Sequence, residues 1–203
     1  MKQLNFLFFL IGFVYIGVGQ ETGSFTDHRD GKTYNTVKIG KQIWMAENLA
    51  FKPGKGNYWA FDGWQSNLER YGYLYDWETA RNVCPPGWRL PSDNEWQELI
   101  DFLGGNQVAG FKMKSESGWH QVGLSGNGNG DNSSGFNGLP GGSLALWDNR
   151  ENFNFLREAG FWWSSTPSEE NKAWFRYIRN RNTEVERGSV VIENGQSVRC
   201  LKN

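Results

Sequence analysis

Residues 84–96 read CPPGWRLPSDNEW, and this stretch decides how the surrounding chain folds. Ser92 and Glu95 have the spacing of a capping box, in which each side chain accepts a hydrogen bond from the other residue's backbone N–H. The apolar residues that follow recur at helical spacing until the glycine pair at 104–105. The stretch therefore predicts a helix that begins after Ser92.

The N-terminal segment has the pattern of an export signal. Lys2 precedes an apolar run at residues 4–16, and Gly17 and Gly19 then offer small residues at the two positions that a signal peptidase reads, so Gln20 is the expected first mature residue. The run is too short and wrongly flanked for a membrane span, and no cysteine follows it as a lipid-anchor site. Residues 1–19 are therefore predicted to be a cleaved signal peptide, and the mature protein to be secreted, on the cell surface or in the periplasm.

The chain has two cysteines, Cys84 in the first stretch and Cys200 in SVRCLK at residues 197–202. In an oxidising compartment a cysteine pair forms a disulfide more often than a metal or redox site. A bond between Cys84 and Cys200 would make everything between them one domain. The alternative is two separate buried thiols.

Composition excludes one class of partner. Lysine and arginine total 21 and aspartate and glutamate total 22, with no long basic run, so nothing indicates nucleic-acid binding. The 11 tryptophans and 26 glycines are typical of a core of large rings joined by permissive loops. The tryptophans expected to be structural are Trp44, Trp77, Trp88, Trp96 and Trp162. Some of the following are expected in loops: Trp59, Trp64, Trp119 and Trp147.

Local patterns predict the order of the other elements. Gly40 opens a two-residue turn between alternating segments, which predicts a hairpin. Asp76 is the predicted N-cap of a helix that a proline pair ends. Residues 52–67 are predicted to be loop, and residues 20–29 a polar lead-in. The stretch 115–142 is rich in Gly, Ser and Asn, and predicts a long irregular loop.

The C-terminal third is predicted to return to strands. Residues 161–165 and 173–179 have strand-like composition and alternation. Residues 184–193 and 196–201 flank an Asn-Gly pair, and this pattern predicts a type I′ hairpin.

This order of elements resembles the C-type lectin-like fold, in which the chain ends pair and a long loop region lies between helices and terminal strands. Six motifs in order resemble the Fibrobacter succinogenes major paralogous domain family: DGKTY (30–34), IWMAENL (43–49), YGYLY (71–75), GWRLP (87–91), FWWSS (161–165) and SVRC (197–200).

What this resemblance implies is an α+β, C-type lectin-like fold, with two helices packed on small antiparallel sheets and a long irregular loop region. It also implies a single domain over residues 30–203, in an exported bacterial surface protein with little defined activity to inherit.

Residues 89–96 also resemble the sulfatase-modifying, formylglycine-generating enzymes, which share the lectin-like fold. Their chemistry needs redox-active cysteines close together near the C-terminus, and only Cys200 lies there. His28 and His120 lie apart from any free thiol or Ser-His-acid arrangement, and the capping role accounts for Glu95. No catalytic residue is therefore predicted.

The long loop contains one candidate set of metal ligands. Asn127, Asn129 and Asp131 place oxygen atoms at alternate positions, as hard cations prefer. However, Asn132 stands where an EF-hand loop requires glycine, and Gly138 where it requires glutamate. Two interpretations stay open: a structural Ca²⁺ site, or a loop in which Asn and Gly form turns for backbone reasons. No other cofactor is predicted.

Large polar and aromatic residues concentrate just before and after residue 179. Because Arg and aromatic side chains are enriched at binding hot spots, a ligand surface is predicted from Trp174, Arg176, Tyr177, Arg179, Arg181 and Glu184. Alternation places Trp174 and Arg176 on one strand face and Tyr177 and Arg179 on the other, and does not decide which is exposed. The long loop is expected to contribute to the same surface.

The sequence as a whole favours an exported, non-catalytic binding or surface protein whose ligand is an unknown glycan or protein. One alternative is a structural subunit of a cell-envelope assembly with envelope partner proteins. Another is a degenerate relative of the formylglycine-generating enzymes. A more specific variant is a retroelement-diversified ligand-binding protein, because the Asn/Arg/Tyr-rich run at 171–194 is similar to the variable segment of such proteins. No nucleic acid and no transmembrane segment in the mature chain are predicted.

Overall fold

The computed structural model describes residues 20–123, 126–148 and 150–203. The predicted signal peptide, residues 1–19, lies outside these residues. In the described part of the chain, no helix is long and apolar enough to cross a membrane.

Within the described residues the chain forms thirteen strands and four α-helices. The strands are β1 (Thr22–Thr26), β2 (Thr33–Ile39), β3 (Gln42–Met45), β4 (Tyr58–Trp59), β5 (Leu74–Tyr75), β6 (Trp88–Arg89), β7 (Gly141–Trp147), β8 (Arg150–Leu156), β9 (Ala159–Glu169), β10 (Lys172–Arg179), β11 (Val185–Val191), β12 (Gln196–Ser197) and β13 (Leu201–Lys202). The helices are α1 (Gln65–Tyr71), α2 (Trp77–Val83), α3 (Asp93–Phe102) and α4 (Asn106–Met113), with a 3-10 helix at Phe61–Gly63 ahead of α1.

The strands form two sheets. The first has five strands in the order β1-β2-β3-β13-β6. The second has eight, six of them in the order β11-β10-β9-β12-β5-β4, and the β7–β8 hairpin joins it where Gly142 pairs with Gly160. Pairing is mainly antiparallel, with parallel pairs between β9 and β12 and between β7 and β9. The fold therefore mixes α and β structure as predicted, with four helices in place of two.

The strongest local signals form the expected structures. Both hydrogen bonds of the capping box between Ser92 and Glu95 are present at the start of α3. The Asp76 side chain accepts from the backbone N–H of Thr79 at 2.7 Å and begins α2. Gly40 adopts a φ of 60° in the turn between β2 and β3, a conformation that glycine reaches without steric cost. These elements follow from residues adjacent in sequence.

Several elements were not predicted. The polar lead-in contributes β1, which pairs along its whole length with β2. The stretch expected to be loop contains β4 and the start of α1, and α4 and the β7–β8 hairpin are further additions. Helix α4 has no clear apolar stripe in its sequence because its buried face contains Gly110, which packs directly against the backbone before β11. A Cβ at position 110 would lie 2.6 Å from the carbonyl oxygen of Glu184.

The hairpin predicted at the Asn-Gly pair is wrong. β11 pairs with β10, whereas β12 pairs with β5 and β9. Gly195 exchanges two backbone hydrogen bonds with Leu144 of β7, each 2.9 Å long. The chain at Gly195 therefore pairs with β7, and β11 and β12 do not pair with each other as a hairpin. The predicted last strand is also divided, because β12 and β13 belong to different sheets and the residues between them cross from one sheet to the other.

Tryptophan rings form the centre of the core. Trp44, Trp96 and Trp162 are fully buried, and the ring centroids lie 4.7 Å apart for Trp44 and Trp96 and 6.3 Å apart for Trp96 and Trp162. Trp77 is buried on α2 and Trp88 is half-buried on β6. All five tryptophans expected to be structural therefore contribute to packing.

A buried arginine ties the crossing segment to this core. Arg199 is 0% exposed, and its guanidinium donates to the side-chain oxygen of Asn48 at 2.8 Å and to the backbone carbonyls of Met45 and Phe136. The same Asn48 oxygen accepts from the indole N–H of Trp162 at 2.9 Å. Desolvation lowers the pKa of Arg199 to about 9, so the group is still cationic at neutral pH.

The predicted disulfide joins Cys84, which ends α2, to Cys200 in the crossing segment, with the two Cα atoms 6.0 Å apart. Replacing both cysteines with serine should lower the free energy of unfolding by about 2–5 kcal/mol, because the bond closes a long loop in the unfolded chain. Urea denaturation of the oxidised protein and of the double variant measures the difference. An unchanged midpoint would contradict this role for the bond.

Candidate ligand-binding site

An open cavity of about 630 Å³ lies where three segments of the chain meet. The segments are the loop between α4 and β7, the turn between β8 and β9, and the connection after β10. The lining is mainly polar and consists of Trp119, His120, Gln121, Asn127, Asn129, Arg157, Glu158 and Asn180. The long loop and the end of β10 thus form the walls of one cavity.

The proposed metal ligands of the long loop act as turn acceptors. The Asn127 side-chain oxygen accepts from the backbone N–H of Asn129 at 3.1 Å, and the Asn129 oxygen accepts from that of Trp119 at 3.0 Å. Asp131 accepts from the backbone N–H and the hydroxyl of Ser133. The Asn127 oxygen and one Asp131 oxygen thus accept from donors two residues later, and the Asn129 oxygen accepts from a donor ten residues earlier, an arrangement that favours the turn-forming interpretation. No group of three or more His, Cys, Asp or Glu side chains in the described residues is arranged to hold a metal.

Asn180 joins the three walls of the cavity. Its side-chain N–H donates to the carbonyl of His120 at 3.2 Å, and its backbone N–H donates to the carbonyl of Glu158 at 2.8 Å. Gly128 fits closely against this contact, because a Cβ there would lie 2.1 Å from the His120 oxygen and 3.1 Å from the Asn180 Cβ. The loop can approach β10 this closely only with glycine at position 128.

Replacing Gly128 with alanine should therefore push the loop away from Asn180. We expect a loss of about 1–3 kcal/mol, the range for overpacking a close contact, together with faster amide exchange at His120 and Asn180. Gly54 is a matched control, because an added Cβ there meets nothing within 4 Å. Equal melting temperatures for Gly128→Ala and Gly54→Ala would show that the loop tolerates the displacement.

A buried lysine connects the same two segments. Lys114 is 2% exposed, and its ammonium donates to the carbonyl oxygens of Gly128 at 2.9 Å, Asn182 at 3.0 Å and Arg179 at 3.4 Å. The nitrogen also lies 5.5 Å from the centre of the Trp119 ring. Desolvation lowers the pKa of Lys114 to about 8, so the amine is mostly protonated at pH 7.

One face of β10 packs against α3 and is not available to a ligand. Arg176, predicted to belong to the ligand surface, is 3% exposed, and its guanidinium lies 2.8 Å from a carboxylate oxygen of Asp93. Arg187 lies 2.9 Å from the other oxygen of Asp93, and its guanidinium stacks 3.5 Å from the ring centre of half-buried Trp174. Arg176 therefore neutralises a buried carboxylate, and Trp174 supports the ion pair at the sheet edge.

The other face of β10 contributes Phe175 and Tyr177 to an aromatic strip, which Phe155 of β8 and Phe161 of β9 complete. The Phe161 and Tyr177 rings stack at 5.5 Å, and Phe161 also lies 5.7 Å from Phe155 and 5.9 Å from Phe175. The Arg179 guanidinium covers the end of the strip, 5.1 Å from the Tyr177 ring and 5.6 Å from the Phe155 ring. Phe155 is 44% exposed, so the strip reaches solvent beside the cavity.

Polar contacts fix the end of the strip. The Tyr177 hydroxyl donates to Glu186 at 2.6 Å, and burial together with this bond raises the pKa of the phenol. Arg179 lies 3.8 Å from the same carboxylate. Of the other predicted ligand residues, Arg181 is exposed and Glu184 is half-buried. The structure thus brings Tyr177, Arg179 and Arg181 to the surface beside the cavity.

Sequence reasoning missed the wall formed by the β8–β9 turn. Phe155 and Arg157 both adopt a φ of 64°, in the left-handed region that bulky residues rarely occupy. Such conformations persist where the surrounding structure imposes them, and they cluster at ligand sites. Residues 155–158 contain no glycine and no Asn-Gly pair, so the usual sequence signals for a turn are absent there.

The residues considered for catalysis have structural partners. The Glu95 carboxylate accepts from the backbone N–H of Ser92 at 2.8 Å and is paired with Arg89, which together hold the pKa of Glu95 below its usual value despite its partial burial. Cys200 is fully buried in its bond to Cys84. His120 lies on the cavity rim, where its carbonyl accepts from Asn180.

Comparison with known families gives one match. The model of the Fibrobacter succinogenes major domain family covers residues 37–202, from β2 to the last strand. The chain belongs to this family. The matched region includes the disulfide, the aromatic strip and every residue of the cavity lining. Comparisons with curated proteins and with solved structures give no match.

Proposed function

We propose that this protein is an exported, non-catalytic binding domain whose ligand occupies the cavity and extends over the aromatic strip. The observation that carries the proposal is the convergence of three separate segments on one open, polar cavity next to the exposed ring of Phe155. Ligand sites typically combine apolar contact area with a few fixed polar groups, and this surface offers both.

The chemistry of the surface favours a ligand with polar groups and at least one flat apolar face. The cavity supplies side-chain amides from Asn127, Asn129 and Asn180, a carboxylate from Glu158 and a guanidinium from Arg157. Arg179 and Arg181 add donors suited to carboxylate or other planar acceptors. Phe155 and Tyr177 offer ring area to a sugar or a protein side chain. A glycan or a protein ligand would satisfy this description.

We place this site on a C-type lectin-like frame. The features that support the frame are the pairing of β13, near the C-terminus, with β3, near the N-terminus, and a long irregular loop between α4 and β7. The disulfide and the predicted signal peptide support export, since disulfides persist mainly in oxidising compartments.

The test is a glycan and protein array probed with residues 20–203. The double variant Arg179→Ala/Arg181→Ala should lose most of the signal at the strongest ligand while its melting temperature stays close to that of the unaltered protein. A full signal from the variant would move the site elsewhere. A large fall in melting temperature would show that these arginines serve the fold.

A second candidate function, a structural subunit of an envelope assembly, is favoured by a different surface. Phe102 is 65% exposed at the end of α3, beside a cavity of about 820 Å³ whose rim carries Lys41, Glu98 and Asp101. Because this rim carries both a basic and two acidic side chains, a second copy of the same patch offers opposite charges for a two-fold contact that buries Phe102. Light scattering should then give a dimer that Phe102→Ser converts to monomer, and a monomer at all concentrations would remove this candidate.

A further inference from the structure

A cation of this chain, the Lys114 ammonium, lies between the long loop and the end of β10. The Lys114 ammonium donates to carbonyl oxygens from the loop, at Gly128, from the last residue of β10, Arg179, and from the connection after it, at Asn182. No carboxylate of the described residues forms an ion pair with it. A buried ammonium without a counter-ion is costly, and three carbonyls matched to its three N–H donors offset that cost.

The position of these carbonyls makes Lys114 a link between opposite walls of the cavity. Gly128 lies between the cavity residues Asn127 and Asn129, whereas Arg179 directly precedes Asn180. Without a cation, carbonyl oxygens of the two walls would face one another with no donor between them. The walls would then separate or admit water, because buried carbonyls require partners.

We propose that Lys114 is the positioning residue of the ligand site, and that its ammonium replaces a bound metal as the cation that shapes the cavity. Oxygen ligands from a loop and a neighbouring segment are what a hard cation such as Ca²⁺ collects in proteins. Here the side-chain oxygens of Asn127, Asn129 and Asp131 accept from N–H and O–H donors of the same loop instead. The effect of Lys114 on the geometry of the loop does not depend on a ligand, whereas its role in the ligand site rests on the proposed function.

The first experiment measures amide hydrogen exchange of the ligand-free protein, residues 20–203. Lys114→Met keeps the apolar stem and removes the cation. We expect about tenfold faster exchange in residues 119–123, 126–129 and 179–183, which corresponds to a local opening free energy lower by about 1.4 kcal/mol. Lys112→Met is the matched control, because Lys112 lies in the last turn of α4, two residues before Lys114, and its ammonium donates to the carbonyl of Leu103, at 2.7 Å, and not to either cavity wall among the described residues. Unchanged exchange in Lys114→Met would overturn the proposal.

The second experiment separates a missing charge from a missing side chain. In Lys114→Ala, propylammonium chloride should restore slow exchange in both segments, whereas n-propanol and sodium chloride should not. Equal effects of propylammonium and propanol would overturn the cation role. If Lys114→Ala does not fold alone, refolding in propylammonium provides the same comparison. Adding Ca²⁺ or EDTA to the unaltered protein should leave exchange of the loop unchanged, and slower exchange with Ca²⁺ would contradict the replacement of a metal.

Binding of the strongest array ligand distinguishes this proposal from the proposed function. Faster exchange of the cavity walls in the Lys114 variants, together with weaker binding of that ligand, would support both proposals. Loosened walls with unaltered affinity would sustain the cation link and reject the cavity as the ligand site.

Discussion

Replacing Arg199 with methionine should remove most of the stability of the domain. The variant keeps the apolar stem and deletes the donors to Asn48, Met45 and Phe136. The Asn48 oxygen keeps the indole N–H of Trp162, whereas the carbonyls of Met45 and Phe136 lose the guanidinium. Each buried acceptor left without a donor costs about 1–3 kcal/mol, against a total stability of about 5–15 kcal/mol for an ordinary domain. The guanidinium also lies 4.3 Å from the centre of the Phe136 ring, and this contact is lost with it.

Urea denaturation followed by tryptophan fluorescence measures the effect, because buried Trp162 shares Asn48 with Arg199. Arg181→Met is the control, since Arg181 is exposed and should tolerate the same change. A midpoint for Arg199→Met close to that of the control would mean that the crossing segment between β12 and β13 does not depend on this arginine.

Replacing Asp93 with alanine should be nearly as damaging. Asp93 is the partner of Arg176, which is 3% exposed, and breaking a buried ion pair from one side typically costs about 3–5 kcal/mol. Most of that cost is the unpaired charge that remains. Arg187 also loses its partner but is more exposed and can turn to water.

The double variant Asp93→Leu/Arg176→Met should therefore be more stable than Asp93→Ala, because replacing a whole buried pair with apolar residues is often neutral. Chemical denaturation of the two variants and the unaltered protein measures this difference. If the double variant were no more stable than Asp93→Ala, the loss of stability would come from removing an acidic residue at the start of α3, and not from the unpaired guanidinium of Arg176.

The elements that could be predicted depend on neighbouring residues. The capping box of Ser92 and Glu95, the Asp76 cap and the Gly40 turn each complete their hydrogen bonds or dihedral angles within a few positions. These caps and turns do not depend on distant parts of the fold, so they can be predicted from the local sequence alone.

The parts that could not be predicted depend on distant partners. The turn signal at Asn194 and Gly195 was outweighed by two backbone bonds from Gly195 to Leu144 in β7. Arg199 resembles a surface arginine in sequence, and only the carbonyls and amide of other segments make its burial tolerable. Helix α4 lacks a strong apolar stripe because Gly110 packs against the backbone of a later segment.

The candidate site divides in the same way. Composition identified the segment around Arg179 and the long loop, and the structure places both beside one cavity. Composition could not show that Arg176 points into the core, because strand alternation does not reveal which face is buried. It also could not identify Lys114 as the link between the walls, since a lysine at the end of a helix ordinarily reaches solvent.

The most direct test of the binding-site assignment is the hydrogen-exchange footprint of the strongest array ligand on residues 20–203. A ligand bound in the cavity should slow exchange in residues 119–123, 126–129, 155–161 and 177–183, with little change around Phe102. Slower exchange confined to the surface around Phe102, with the cavity segments unaltered, would contradict this assignment.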